Sequence, residues 1–288
     1  MTNSNGGMHT AEIEVVGAKP SLNISKLGIV SRDYWKEYEN GYRDYSQVLP
    51  AILKLLDDKG CDSVLFSLYG VIVPPNYNAE LCFGTLQNIK VVFMEEFSED
   101  KNDKGYLTRI AKRFVVHHRK SDECEWSQYE IRQCFGSLTE RPPMDKFVKD
   151  EMPRRILGNG CVLLCGETNG VKYSRESKCV KDVFGVRKAI PENVRVILNP
   201  VHDRMTRFEM TLKRKFLSEQ NRWVVSVWNR GRGLKLKLDD QSLEGQTRDG
   251  QHPAWTVYHN GEEKEIEPLD PGLLKDLKVE IGIVCFPL

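Results

Sequence analysis

Hydrophobic residues along this chain follow two spacings, and the two alternate. "LGIVSR" (28–33) is a short β-type run. In "DYSQVLPAILKLLDDKG" (44–60), Val48, Ile52, Leu55 and Leu56 share one helical stripe, and Lys59-Gly60 is a stop signal. "CDSVLFSLYGVIV" (61–73) follows directly as an apolar, β-branched run, the pattern of a strand buried on both faces. Strand, helix and strand at this spacing predict a βαβ unit.

The alternation continues. "IKVVFMEEF" (89–97) predicts a strand closed by the polar turn "SEDKNDKG" (98–105), and "LTRIAKRFVVHHRK" (107–120) a strand pair with a short turn. Residues 121–157 are charged and irregular, with prolines at 142 and 143. They read as a long loop or short helical insertion, a feature usually tied to function in compact domains. Buried strands are expected at 160–165 and 194–200, a helix at 204–221, a strand at 222–231 and a polar loop at 239–252. A hairpin at 254–269 turns on Asn260-Gly261, and 277–288 ends the chain as an alternating strand. No repeat or Gly/Ser linker interrupts the series. The prediction is a layered α/β sandwich with a mixed sheet: one domain over 26–288, preceded by a polar tail with a possible extra strand over 1–25.

Charge and cysteine usage narrow the function. The 288 residues carry 42 basic and 41 acidic side chains, a net of +1, which gives no global pull toward nucleic acid or an anionic membrane. The basic clusters at 112–113, 119–120, 154–155 and 213–215 are each followed or interrupted by acids and read as solvated faces. The acids of "MEE" (94–96) and "DECE" (122–125) lack the offset lysine of a nuclease site. No apolar run approaches the length of a membrane span. The eight cysteines form no Cys-x-x-Cys pair and no zinc pattern, and no basic-then-apolar leader opens the chain, so free thiols in the cytoplasm are expected. His117 and His118 are strand neighbours that point to opposite faces, which argues against a shared metal. No dinucleotide fingerprint or Walker loop is present.

One stretch carries candidate chemistry. "GNGCVLLCGETNG" (158–170) is an apolar strand that stops at Cys165-Gly166-Glu167. A thiol presented at a strand's carboxyl end, beside a glycine and an acid, suits a nucleophile better than a core residue.

The order of segments resembles the nitrilase, or carbon–nitrogen hydrolase, superfamily. "HHRK" (117–120) matches its lysine motif, "VLLCGE" (162–167) its cysteine motif, and 196–229 the strand, helix and strand that follow the cysteine. The resemblance implies a four-layer α-β-β-α sandwich with mixed sheets and a homo-oligomer without a cofactor. The ligand it implies is a small amide, nitrile or amine. By the same resemblance Cys165 is the nucleophile, Lys120 stabilises the anionic intermediate and Glu130 orients Lys120. Gly166, Glu167 and His202 are expected to bind substrate. The family's general-base glutamate has no counterpart, because Leu68 occupies its place in "VLFSLYG" (64–70); Glu80, Glu95 and Glu96 are the candidate substitutes. Two functions follow: a thiol hydrolase of a non-peptide C–N bond, or a catalytically degenerate protein of this fold that binds or senses a ligand.

Overall fold

The computed structural model describes residues 17–32, 45–73, 77–101, 107–119, 125–136, 141–202, 208–229, 254–270 and 279–287. In chain order the first elements are β1 (Lys26–Arg32), α1 (Leu49–Asp58), β2 (Ser63–Phe66), β3 (Val71–Ile72), β4 (Val91–Lys101), β5 (Leu107–Arg119) and β6 (Trp126–Ile131). Then come α2 (Arg141–Lys146), a π-helical turn (Phe147–Glu151), α3 (Met152–Arg155), β7 (Ile156–Leu157), β8 (Gly160–Val162), β9 (Lys172–Ser174) and β10 (Cys179–Lys181). The last are β11 (Val196–Pro200), α4 (Phe208–Ser218), β12 (Trp223–Val227), β13 (Trp255–His259), β14 (Glu262–Lys264) and β15 (Val279–Cys285).

Two mixed sheets dominate. Sheet I runs β15-β1-β2-β4-β5-β6, with β3 added on β4, and sheet II runs β14-β13-β12-β11-β8-β7. In sheet I, β1, β2 and β4 are parallel; in sheet II, β8, β11 and β12 are parallel.

Strand alternation sorts the side chains into layers. Val91 and Phe93 of β4, Phe114 and Val116 of β5, and Tyr129 and Ile131 of β6 meet Leu198, Val225 and Val257 of sheet II in a core between the sheets. The opposite face of sheet I (Val30, Val64, Phe66, Val92, Met94) is covered by Leu49, Ile52, Leu53 and Leu56 of α1. The opposite face of sheet II (Cys161, Leu163, Ile197, Val224) is covered by Leu217 of α4 with Met144, Phe147 and Met152. The result is the four-layer α-β-β-α sandwich. Helix and sheet meet closely at β1, where a Cβ on Gly28 would lie 2.7 Å from a Leu56 methyl. No helix among the described residues is long and apolar enough to cross a membrane.

Several elements differ from the sequence reading. The run at 61–73 is two strands, split by a turn in which Gly70 N–H donates to Ser67 O at 3.0 Å and Tyr69 takes φ 59°. The expected strand pair at 107–120 is the single strand β5, whose continuous β4 partner runs through Lys101, where a polar turn was expected. The segment 121–157 contains β6 and the helical cover of sheet II rather than a loop alone. At β4, β5 and β6 pairing with a neighbouring strand overrode local polarity. The Asn260-Gly261 turn is as expected, with φ of 50° and 81°. Before β1, Leu22 and Ile24 enter the inter-sheet core. The expected loop at 239–252 lies outside the described residues.

Candidate active site

Cys165 terminates the β8 segment. Leu163 N–H still donates to Leu198 O of β11 at 2.9 Å, and two residues later Cys165 turns the chain with φ 41° into a 3-10 segment, Cys165–Gly170. A left-handed conformation at a non-glycine residue costs about 1–2 kcal/mol, so surrounding contacts must hold it. Glu167 supplies several of them. It is fully buried and accepts from Leu164 N–H at 2.8 Å, Cys134 N–H at 2.8 Å and Arg155 Nη2 at 2.8 Å. Burial pushes its carboxyl up, to about 7, against the lowering pull of Arg155 and the two backbone N–H groups. Glu167 was expected among the substrate-binding residues; it is instead sealed beneath the turn as its anchor. Gly166 is buried against the chain after β6, where a Cβ would lie 2.0 Å from Gly136 O. Glycine permits that approach.

The Cys165 side chain is partly exposed, and it packs against the inter-sheet core and against Val201, Trp228 and Ala254. The other strand thiols differ in environment. Burial pushes Cys61 and Cys161 up to about 12, which leaves them inert at neutral pH.

The carboxyl ends of the parallel strands of both sheets meet at this edge. Asn229, just after β12, accepts from Arg32 N–H at 3.1 Å and from the Ser67 hydroxyl, and donates to Leu68 O at 2.6 Å. One side chain thus ties sheet II to two strand ends of sheet I. His202, two residues beyond β11, reaches across the same gap: its Nε2 is 3.5 Å from Glu95 Oε1 of β4, and its ring centre is 4.1 Å from that of Tyr69. The second Glu95 oxygen accepts from Tyr69 N–H at 2.6 Å. The carboxylate is thereby fixed, and the imidazole has an orienting partner. Val201, beside His202 in sequence, is one of the residues packed on Cys165.

Strand alternation also decides among the other acids. Glu95 follows Val91 and Phe93 onto the inner face. Glu96 follows Val92 and Met94 onto the outer face, bonded to His117 at 2.7 Å and to Arg113 at 2.9 Å. Glu80 accepts from Gln128 Nε2 at 2.9 Å, on the side of β6 opposite Tyr129. Glu130 alternates with Tyr129 and Ile131, so it faces outward, and it pairs with Arg132 at 2.7 Å. Its expected role was to orient Lys120; the partner it has among the described residues is Arg132. Lys120 lies outside the described residues. Leu68 is 1% exposed in the inter-sheet core and brings no acid to the edge.

Sequence reading missed three contributors. Asn199 donates to Leu163 O at 2.6 Å and to Cys165 O at 3.4 Å. Asn229 joins the sheets, and Arg214 of α4 is fully buried over Trp228, one of the residues packed on Cys165. A polar residue ending an apolar run, as in "VILNP" and "VSVWN", was the available signal for the two asparagines.

No family model matches the sequence, and no curated protein matches it. Among solved structures the chain is similar to an amidase from Nesterenkonia sp., at 11% identity over 96% of this chain and 94% of that one, with a TM-score of 0.39. A double mutant of that amidase, solved in complex with acrylamide, matches at 11% identity over 93% of each chain, TM-score 0.39. A CN-hydrolase superfamily protein from Xanthomonas campestris, with an arsenic adduct in its active site, matches at 10% identity over 73% of this chain and 77% of that one, TM-score 0.35. At such identities and TM-scores the chemistry of the site rests on its own residues.

Proposed function

We propose that this chain is a nitrilase-like thiol hydrolase that cleaves a non-peptide C–N bond of a small amide or nitrile. The observation that carries the reading is Cys165 at φ 41°, a half-buried thiol on a strained turn at the carboxyl edge of parallel strands. Strain at a non-glycine position points to function when contacts as specific as those of Glu167 hold it.

In this reading His202, oriented by Glu95, removes the thiol proton. The Cys165 sulfur then bonds to the amide carbon, and the tetrahedral intermediate collapses with cleavage of the C–N bond. The amine leaves with the proton carried by His202, which makes a thioester. Water, deprotonated by the same imidazole, hydrolyses the S–C bond, releases the acid and regenerates the thiol. A nitrile would pass through a thioimidate. Side chains alone supply this chemistry, and no cofactor is invoked. None of the seven described cysteines is joined to another of them by a disulfide, in keeping with a reducing, cytoplasmic setting. A homo-oligomer is inferred from the family resemblance.

A second reading is favoured by one observation. Leu68 brings hydrocarbon where the resemblance expects a base, as a protein that binds its ligand without turnover would. Two measurements separate the readings: ammonia or amine release from a panel of small amides and nitriles, and mass-mapped labelling with an iodoacetamide probe. The hydrolase reading expects release that Cys165→Ala abolishes and labelling of Cys165 ahead of Cys134, Cys179 and Cys285. Fast labelling without release supports the binding reading. Labelling of Cys165 no faster than the exposed thiols overturns both.

A further inference from the structure

A row of polar side chains crosses the helix-covered face of sheet II beside the thiol. Asn199 of β11 and Ser226 of β12 are register partners, as are Ser226 and Thr256 of β13. On this face their neighbours two residues back are Ile197, Val224 and Ala254, all buried and apolar. Asn199 bonds to Cys165 O at 3.4 Å, and its Oδ1 accepts from Ser226 Oγ at 3.0 Å. Thr256 Oγ1, at the far end, accepts from Arg214 Nη1 at 3.3 Å.

Arg214 descends from α4 onto this row and is 0% exposed. Its guanidinium carbon lies 5.8 Å from the ring centre of Trp228, and Trp228 is one of the residues packed on Cys165. Among the described residues its Nε and Nη2 have no hydrogen-bond partner, and no carboxylate forms an ion pair with it. A buried cation left without a counter-charge is costly, and a fold tolerates one where an anion comes to meet it. Burial lowers the Arg214 pKa to about 10, and the two groups that oppose the shift are Tyr258 and Cys165. Tyr258 is itself pushed up by burial, which keeps it neutral at physiological pH. Cys165 is left as the group able to supply the charge.

We propose that Arg214 is the resident counter-cation of the Cys165 thiolate, held level with the thiol's turn by the Asn199–Ser226–Thr256 row. It is a positioning residue, acting on the sulfur through its charge. The inference deepens the function above and rests on it only so far as Cys165 is the reactive thiol. Of the other charged groups near the turn, Arg155 is paired with Glu167 at 2.8 Å, Lys213 bonds to Asn169 at 2.7 Å, and Glu95, beside His202, disfavours a second negative charge. Arg214 differs from Arg155 in having no ion-pair partner among the described residues, and it lies over the Trp228 that packs on Cys165.

The test follows alkylation of Cys165 by iodoacetamide against pH in the full-length protein, with peptide mapping; the thiolate displaces iodide and forms one S–C bond. Wild type is expected to titrate below the ordinary thiol value of about 8.5. Arg214→Met moves the midpoint up by a unit or more and slows labelling at pH 7 about tenfold, and Arg214→Lys restores most of it. Labelling of exposed Cys179 and Cys285 stays constant and reports an intact fold. Should Arg214→Met not fold, Thr256→Val, which removes the hydrogen bond to Arg214, gives a smaller upward move. An ordinary wild-type midpoint, or one that neither variant shifts, overturns the proposal. Amide hydrolysis with an ordinary midpoint overturns this inference alone, whereas a depressed midpoint without hydrolysis overturns only the hydrolase reading.

Discussion

Glu95 and His202 come from different sheets, yet their side chains approach to 3.5 Å at the edge where Cys165 turns the chain. The carboxylate is 3% exposed and the imidazole 13%, so the pair is shielded without being sealed. In the mechanism proposed above, this pair is the base that acts on the thiol. Glu95→Gln keeps the size and one hydrogen-bond acceptor but removes the charge that orients and supports an imidazolium. Labelling of Cys165 at pH 7 is expected to fall about tenfold, and by about 10²-fold in His202→Ala, within the usual range for loss of a general base. Stopped-flow alkylation with mass mapping checks both. Unchanged rates in His202→Ala would remove the imidazole from the mechanism.

The strained turn predicts opposite effects on activity and stability. Cys165→Ala retains a side chain at φ 41°, whereas Cys165→Gly relieves the left-handed strain. Both abolish labelling at this position. Cys165→Gly is expected to be about 1 kcal/mol more stable than Cys165→Ala in urea unfolding. Equal stabilities would mean that the turn stores no strain.

Gly166→Ala tests the approach of two chain segments. The added methyl would meet Gly136 O at 2.0 Å, a backbone atom that cannot rotate away. The chain after β6 must then retreat, and with it Cys134 N–H, one of the donors that hold Glu167. A loss of about 2–3 kcal/mol is expected, as for overpacking a tight core, together with slower labelling of Cys165. Retained stability with normal labelling would show that the segments separate freely.

Glu96 predicts a dependence on pH well away from the site. Burial alone would raise its carboxyl. The hydrogen bond and charge of His117, with Arg113, outweigh that and hold it below its ordinary value of 4.5. A depressed carboxylate stabilises the fold above its unfolded pKa, and that stability is lost as pH falls through the folded value. Wild type is thus expected to lose stability below about pH 4.5 more steeply than Glu96→Gln, measured as urea midpoints at pH 6 and 3.5. Parallel curves would assign acid unfolding to other carboxylates.

Much of this molecule is written locally. The 3.6-residue stripe of α1, the apolar runs of β2, β8, β11 and β12, and the Asn260-Gly261 turn each follow from neighbours in sequence. Such patterns bury or expose side chains wherever the element packs. Cys165 was legible for the same reason: an apolar strand stops there on a thiol and a glycine. The continuous β5, the strand β6 and the helical cover of sheet II were not legible, because partner strands and a shared core overruled their polar composition. The surroundings of the thiol were equally out of reach. Glu95 and Glu96 are adjacent and chemically alike, and only the pleat of β4 sends one inward to His202 and the other outward to His117. Arg214 reads as one more basic residue on a helix until α4 lands on sheet II and buries its charge over Trp228, which packs on Cys165. Sequence determined the elements and singled out Cys165, and tertiary structure decided which groups surround it, because electrostatic partners are chosen by distance in space.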